Sequence, residues 1–216
     1  MQQSQRDQSG WRVLLIGGSS GVGKTSVAQA LGRKLGISVL LVDDIRMALQ
    51  QITMPGEQPG LHYFLARPAI WQKPPETLCE GFITVGNALM KPLTAIIAHH
   101  VFSGSAGPVI IVGDGILPAL AAQRDFSSLH YTSALVSREV RSAFLVESDE
   151  DILARNIHPR GPASGESSSR EQQTFVRASW LYGQWLKRQA DHYNLPIVEA
   201  RPWESQVERV LQAIGS

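Results

Sequence analysis

The sequence predicts an α/β fold in which a parallel sheet is covered by helices on both faces. Short apolar runs typical of buried strands alternate with segments of helical spacing, and a glycine-rich stretch at 17–26 follows the first run. Parallel strands need crossover connections, usually helices, which cover both faces of the sheet. With 216 residues and 43% hydrophobic content, the chain can bury one sizeable core. We therefore expect a single domain at 11–216, preceded by a polar, disordered leader at 1–10.

The glycine-rich stretch has the spacing of a phosphate-binding loop, G-x-x-x-x-G-K-T, at residues 18–25. A predicted strand at 12–16 precedes it and a predicted helix at 26–35 follows it, which is the context that such a loop requires. Glycines let bare backbone N–H groups approach phosphate oxygens, and the helix N-terminus favours anions. The alternative is a glycine-rich turn that matches by chance. We expect these residues to bind ATP: Gly18, Ser20, Gly21, Val22, Gly23, Lys24, Thr25 and Ser26.

Two side chains of this loop, and one acid beyond it, have more specific expected roles. Lys24 would contact the β- and γ-phosphates, and the Thr25 hydroxyl would ligate Mg²⁺. A further strand, predicted at 108–112, ends at Asp114 within Gly-Asp-Gly. An acid at the end of an apolar strand downstream of a phosphate loop is typical of the carboxylate that orients Mg²⁺ or its water. Asp114 is therefore the second candidate metal ligand, and the alternative is a plain Asp-Gly turn.

Two acids and an arginine follow the predicted second strand, at 37–42. The strand ends at Asp43 and Asp44, and a helix is predicted at 45–51, with Arg46 three residues after Asp43. Open α/β sheets bind ligands at the carboxyl ends of their strands. Asp43 could accept the proton of a substrate hydroxyl while Arg46 holds an anionic group, with Asp44 also a candidate for substrate binding or for the base. The alternative is a helix N-cap with a solvated arginine.

Residues 53–102 are expected to form an insertion on the substrate side. Its first part, 53–75, is rich in proline and aromatic residues, and we expect an irregular segment with a short helix at about 61–66. Long loops are uncommon in compact domains unless functional, so we expect acceptor contacts among His62, Tyr63, Arg67 and Trp71. Equally, the aromatic residues could only cover the helix behind them. That helix, at 76–102, has apolar residues at helical spacing and belongs to the core, and Pro92 could kink it.

In the last third of the chain we expect a lid and a loop that contacts the adenine. A fourth strand is expected at 142–147, followed by a helix from about 149 and a small-residue stretch flanked by Arg155, Arg160 and Arg170. The segment at about 155–172 would close over the transferring phosphates, with Arg155 and Arg160 stabilising their charge. A plain surface loop is the alternative. After a helix at 174–192 and a fifth strand at 195–199, the loop containing Pro202 could lie beside the adenine, before a final helix at 204–214.

Composition excludes several classes of function. The 20 basic and 19 acidic residues balance to a net charge of +1 without a long run of either, so we expect no nucleic-acid or membrane partner. No apolar run is expected to span a membrane. The single cysteine, Cys79, excludes an intramolecular disulfide and a Cys-based zinc cluster, and we expect it to fill a packing position. A cytoplasmic monomer or homodimer acting on a small molecule is the expectation.

Together these segments resemble the small-molecule kinases of the P-loop superfamily, most closely the 2-phosphoglycerate kinase family and more distantly chloramphenicol phosphotransferase and polynucleotide kinases. Four segments support the resemblance: G-G-S-S-G-V-G-K-T-S at 17–26, D-D-I-R at 43–46, I-I-V-G-D-G-I-L-P at 110–118 and F-L-V-E-S-D-E at 144–150. It implies a three-layer P-loop NTPase fold with a five-stranded parallel sheet of order 2-3-1-4-5. It also implies transfer of the γ-phosphoryl group of ATP, with Mg²⁺, to a hydroxyl of a small metabolite or antibiotic.

The resemblance also assigns roles to single residues. Asp43 would be the base or a substrate-orienting group, Arg46 would bind the acceptor, and Arg155 and Arg160 would be lid arginines. Such kinases often carry a glutamate where this chain has Val112, so the metal acid is either supplied by Asp114 or absent. The acceptor stays open, and a nucleoside or nucleotide kinase, or a regulatory NTPase that phosphorylates nothing, are the alternatives.

Overall fold

The computed structural model describes residues 10–131, 139–157 and 169–215, which form a three-layer α/β/α sandwich. Its five strands are all parallel and follow the order β2-β3-β1-β4-β5. Their bounds are β1 Val13–Gly18, β2 Ser38–Leu41, β3 Val109–Val112, β4 Val140–Val146 and β5 Ile197–Glu199. The P-loop NTPase fold class and the strand order 2-3-1-4-5 are therefore confirmed.

Seven α-helices and two 3₁₀ helices lie in the described ranges. The α-helices are α1 Lys24–Leu35, α2 Val42–Ile52, α3 Pro75–Phe102, α4 Pro118–Ala121, α5 Glu150–Ile157, α6 Ser169–His192 and α7 Gln206–Ala213. The 3₁₀ helices are Pro68–Gln72 and Trp203–Ser205.

Alternate residues of β1 build the two halves of the core. Leu14 and Ile16 belong to a buried cluster with Leu31 of α1 and Val210 of α7. Val13 and Leu15 belong to a second buried cluster, on the opposite face, which contains residues of α3 and α6. Because successive strand residues point to opposite faces, a fully apolar β1 buries both sides of the sheet. β1 is thus the centre of the molecule, and the loop that follows it is held from both layers.

Helix α3 corrects the expectation that no segment is long and apolar enough to span a membrane. Its 28 residues are long and apolar enough to cross a membrane, judged by length and composition alone. Only 39% of its most apolar 18-residue stretch is buried. It packs against α6 and β1, and Leu89, Leu93 and Ile97 are buried in the core, as expected of a core helix in a layered domain. Pro92 lies inside it.

Burial, and then the charge of Glu80, raise the pKa of Cys79 to about 11, which supports a packing role for this thiol.

Three local predictions were wrong. Helix α2 begins at Val42 and not at residue 45, so Asp43 and Asp44 lie in its first turn, where carboxylates favour the positive end of a helix dipole. Residues 61–66 form turns, and the short helix of this region is the 3₁₀ helix at Pro68–Gln72. Helix α6 begins at Ser169, so part of the predicted lid is helical. Residues 155–157 of the predicted lid, with Arg155, belong to α5. Residues 158–168, with Arg160, and residues 1–9 of the leader lie outside the described residues.

Candidate active site

The ends of three neighbouring strands bring the predicted site residues together. Leu41 of β2 and Ile16 of β1 both pair with Val112 of β3. The chain therefore leaves these three strands at the same level of the sheet. The phosphate-binding loop, the first turn of α2 and the turn that contains Asp114 all begin there.

The backbone of the phosphate-binding loop depends on glycine at its tightest points. Gly21 and Gly23 have φ of 85° and 81°, which side-chain-bearing residues rarely adopt. A Cβ atom at Gly21 would lie 2.9 Å from the Ile157 side chain, and one at Gly23 would overlap the ring of Trp203. Gly23 is the N-cap of α1 and has no side chain to cap it. The first N–H groups of α1 therefore remain available to an anion.

Lys24 and Asp114 form the charged centre of the loop. Lys24 Nζ is ion-paired with Asp114 Oδ1 and donates a hydrogen bond to the Ser19 carbonyl oxygen over 3.1 Å. The Ser20 hydroxyl donates to Asp114 Oδ2 over 3.0 Å. Asp114 thus lies against the loop, as expected of an acid that serves the phosphate site. Lys24 and Asp114 neutralise one another in this structure.

A buried tyrosine holds the turn that carries Asp114. The Tyr182 hydroxyl of α6 donates a hydrogen bond of 2.5 Å to the Asp114 carbonyl oxygen. Burial, with the charge of Asp114 adding to it, raises the pKa of Tyr182 well above its usual value. The hydroxyl therefore stays protonated and remains a donor. Gly113 fixes the other side of the turn, since a Cβ there would lie 2.5 Å from Val42 Cβ.

Thr25 and Asp114 line one cavity of about 220 Å³, together with Ser20, Gly21 and Lys24. Among the described residues, no group of three or more His, Cys, Asp or Glu side chains could hold a metal on its own. Mg²⁺ suits such a site, because it commonly takes one or two protein oxygens and completes its shell with phosphates and water. The hydroxyl and carboxylate oxygens present are of the hard type that this ion prefers.

Asp43 and Arg46 form an ion pair at the edge of this phosphate cavity, with 2.9 Å between Asp43 Oδ1 and Arg46 Nη2. The Asp43 side chain is 62% exposed, and an ion pair this open contributes little to stability. Asp43 lines the phosphate cavity and also an adjoining cavity of about 430 Å³ that Arg46 lines. Asp44 lines neither, so the geometry favours Asp43 of the two acids.

The adjoining cavity, termed the acceptor cavity here, shares four residues with the phosphate cavity. These are Ser20, Asp43, Asp114 and Phe175. Its remaining lining comes mainly from α2, α3 and the irregular segment before α3, including Leu61, Phe64, Trp71 and Phe82. A small molecule bound there would therefore lie beside both the phosphate site and the carboxylate of Asp43.

The chain is similar to known proteins in both sequence and structure. No family model matches the chain. The 2-phosphoglycerate kinase of Pyrococcus horikoshii is 28% identical over 210 residues, which cover 94% of this chain and 64% of that protein. The 2-phosphoglycerate kinase of Methanocaldococcus jannaschii is 23% identical over 205 residues, covering 94% of this chain and 62% of that protein. The chain thus spans less than two thirds of the length of these curated relatives, and 94% of it is matched to them.

Among solved structures, shikimate kinase from Acinetobacter baumannii in complex with shikimate superimposes with a TM-score of 0.52 at 13% identity, over 94% of this chain and 93% of that one. A sugar kinase from Janibacter sp. HTCC2649 gives 0.51 at 15% identity, over 95% and 96%. The chain has the fold of the P-loop kinases. Its resemblance to the 2-phosphoglycerate kinases, expected from the four segments, is confirmed by the curated relatives.

In this P-loop kinase fold a third cavity, of about 670 Å³, continues from the loop on the side of α1 and α7. We term it the base-side cavity. Trp203 and the exposed Arg155 line it, whereas Pro202 does not. Pro202, expected beside the adenine, does not itself line this cavity, whereas Trp203 of the same loop does.

Two amides that the sequence did not reveal brace the loop. Asn156 Nδ2 of α5 donates to the Gly21 carbonyl oxygen over 3.2 Å, and Gln206 Nε2 of α7 donates to the Val22 carbonyl oxygen over 3.0 Å. The Gln206 side chain is buried. Neither residue belongs to a recognisable motif, so no sequence pattern could have indicated them.

The irregular segment before α3 supplies only part of what was expected of it. Trp71 lines the acceptor cavity, but Arg67 does not. Its guanidinium is stacked on the Tyr63 ring, with its carbon 4.2 Å from the ring centroid, and it donates to the Tyr63 carbonyl oxygen over 3.1 Å. His62 is buried, 3.0 Å from the Thr53 hydroxyl. Arg67 and His62 therefore have structural partners and no place in the site as described.

Proposed function

We propose that this protein is an ATP-dependent kinase that transfers the γ-phosphoryl group to a hydroxyl of a small molecule. The observation that carries the proposal is the position of Asp43, which lines both the phosphate cavity and the acceptor cavity. A protein that only binds and hydrolyses a nucleotide does not need a second cavity that opens onto its phosphate site. The names of the curated relatives and of the superimposable structures support the same class of reaction.

In the proposed reaction the acceptor hydroxyl oxygen forms a bond to the γ-phosphorus. The bond between that phosphorus and the oxygen bridging to the β-phosphate breaks, and ADP leaves with its electron pair. The proton of the hydroxyl passes to the Asp43 carboxylate. Lys24 neutralises charge on the phosphates, which is the main catalytic demand in phosphoryl transfer. Arg46, beside Asp43, would orient the acceptor.

The ion pair between Lys24 and Asp114 explains how the charges of the site are held before the nucleotide binds. Lys24 is only 11% exposed, and a buried, unpaired ammonium is costly. On nucleotide binding Lys24 would exchange Asp114 for phosphate oxygens, and Asp114 would be free to hold Mg²⁺ or its water together with Thr25. Mg²⁺ at that position would neutralise phosphate charge. Arg155 and Arg160 remain proposals for the lid.

Release of ADP separates this proposal from a regulatory NTPase. With Mg²⁺ and ATP alone, we expect the protein to release ADP slowly. Pooled hydroxyl-bearing metabolites should accelerate this release, because the acceptor completes the site. Stimulation by a protein partner, with no effect of any small molecule, would favour the regulatory NTPase. The assay is a coupled measurement of ADP on the purified protein, with the Lys24→Ala variant as the blank.

The base-side cavity gives a second expectation. Replacing Trp203 with alanine should weaken ATP binding by about tenfold or more, because stacking of a base on an aromatic ring is worth about 1–3 kcal/mol. Trp203→Phe should retain most of the affinity. Titration with a non-hydrolysable ATP analogue measures both. Unchanged affinity of Trp203→Ala for the ATP analogue would show that the base does not stack on Trp203.

A further inference from the structure

Four aromatic side chains form a continuous wall of the acceptor cavity. They are Phe64, Trp71 and Phe82 on the insertion side and Phe175 of α6. Phe64 is stacked on Trp71, with 5.3 Å between ring centroids and 15° between planes, and lies 5.2 Å from Phe82. Phe175 lies 6.0 Å from Trp71 and 6.1 Å from Phe82. Each ring is thus fixed by a neighbour, and the wall offers a preformed apolar surface.

Charge on the other side of the cavity is sparse and largely balanced. Arg46 is the one basic residue that lines it among the described residues, and two acids, Asp43 and Asp114, line it as well. The guanidinium of Arg46 is already paired with Asp43, but its Nε is buried and has no partner within the described ranges. A guanidinium has five N–H donors, so those of Arg46 that do not contact Asp43 remain for an anionic group.

This lining suits some acceptors better than others. An acceptor such as 2-phosphoglycerate carries both a carboxylate and a phosphate. Among the described residues it would face the Asp43 carboxylate and one guanidinium, that of Arg46, which is shared with Asp43. Like charges in such a confined space repel, and an anion without a paired cation loses its hydration without compensation. An apolar ring, in contrast, gains from contact with the aromatic wall. The volume of about 430 Å³ lies in the range of about 300–1,000 Å³ usual for small-molecule sites.

We propose that the acceptor is a hydroxyl compound with an apolar, ring-bearing body and at most one anionic group, and not a doubly anionic phosphoglycerate. The proposal rests on the kinase function proposed above. The ring packs on Phe64, Trp71 and Phe82, the single anionic group meets Arg46, and the hydroxyl is directed towards Asp43.

Four probes separate ring from charge. 2-Hydroxy-3-phenylpropanoate has a ring and one carboxylate, and 3-phenylpropane-1,2-diol has a ring and no charge. Glycerate has one carboxylate and no ring, and 2-phosphoglycerate has two anionic groups and no ring. With Mg²⁺ and a saturating non-hydrolysable ATP analogue, calorimetry should show both phenyl probes binding at least about tenfold more tightly than the other two, the gain expected from burying a phenyl ring. Equal or tighter binding of 2-phosphoglycerate overturns the proposal, as does no detectable binding of either phenyl probe.

Variants place the binding in this cavity. Trp71→Ala should weaken the phenyl probes by about tenfold and leave glycerate unchanged. Leu65 also lines the cavity and is 64% exposed, so Leu65→Ser should fold even where Trp71→Ala does not. It should weaken the phenyl probes about threefold or more. Met54 is 65% exposed and lies outside the cavity lining, so Met54→Ser is the matched control. Equal effects of Leu65→Ser and Met54→Ser would contradict the assignment.

Assays of phosphoryl transfer and of ADP formation, with ATP, Mg²⁺ and the same four probes, distinguish failure of this proposal from failure of the kinase function. Nucleotide binding that requires Lys24, together with transfer to a compound that has no ring, would reject the acceptor class and keep the kinase. ADP formation that no hydroxyl compound stimulates would reject both.

Discussion

Replacing Lys24 with alanine is expected to reduce phosphoryl transfer by about a hundredfold or more, the usual cost of removing a group that stabilises charge on the transferring phosphoryl. Lys24 is the one lysine that lines the phosphate cavity among the described residues, and it is held there by Asp114 and the Ser19 carbonyl oxygen. ADP formation with saturating acceptor measures the effect, and far-ultraviolet circular dichroism checks the fold.

The matched control is Lys34→Ala, in the last turn of the same helix. Lys34 is half exposed and lies 3.6 Å from Glu208, and a surface pair of this kind contributes little. We expect its activity to equal that of the wild type. If Lys24→Ala turned over at a rate close to that of Lys34→Ala, Lys24 would have no role in phosphoryl transfer.

Asp43→Asn is expected to lower transfer by about a hundredfold to ten-thousandfold, the range for loss of a general base, while ATP binding is retained. The amide keeps the size of the carboxylate but cannot accept the hydroxyl proton. Asp43 lines the phosphate cavity from the first turn of α2, but a carboxylate has no donor for phosphate oxygens, so its replacement should not weaken nucleotide binding. Single-turnover transfer and titration of an ATP analogue measure the two quantities separately.

Asp44→Asn provides the control for Asp43, because it makes the same chemical change one residue away. Asp44 is in the same helical turn but lines neither cavity. The Asp44→Asn variant should transfer phosphate at the wild-type rate. A loss in Asp44→Asn as large as that in Asp43→Asn, or a parallel loss of ATP affinity in Asp43→Asn, would contradict the role given to Asp43.

The parts of the site that the sequence predicted are those built from contiguous residues. The spacing of Gly18, Gly23 and Lys24, and the apolar runs on either side, describe a strand, a turn and a helix whose geometry is local. The two distances along the chain from a strand to an acid, from β2 to Asp43 and from β3 to Asp114, were also sufficient, because these parallel strands end at the same level of the sheet. Asp43 and Asp114 therefore lie at the phosphate cavity as expected from their positions along the chain.

The parts that the sequence could not predict depend on contacts between distant segments. Asn156 and Gln206 brace Gly21 and Val22 from 135 and 184 residues away, and polar residues on amphipathic helices carry no signal of such a partner. Arg67 was expected at the substrate, but its cation–π contact with Tyr63 holds it on the surface. The position of Asp114 also depends on tertiary contacts, because Gly113 packs directly on Val42 and Asp114 is ion-paired with Lys24.

The most direct test of the central claim follows the γ-phosphoryl group itself. Purified protein would be incubated with Mg²⁺, with ATP carrying ¹⁸O in its γ-phosphoryl group, and with a pool of hydroxyl compounds that includes the four probes, and the products analysed by mass spectrometry. We expect the label in a phosphate monoester of one small molecule, in an amount equal to the ADP formed. Label found in inorganic phosphate alone would contradict the account and show a nucleotide hydrolase.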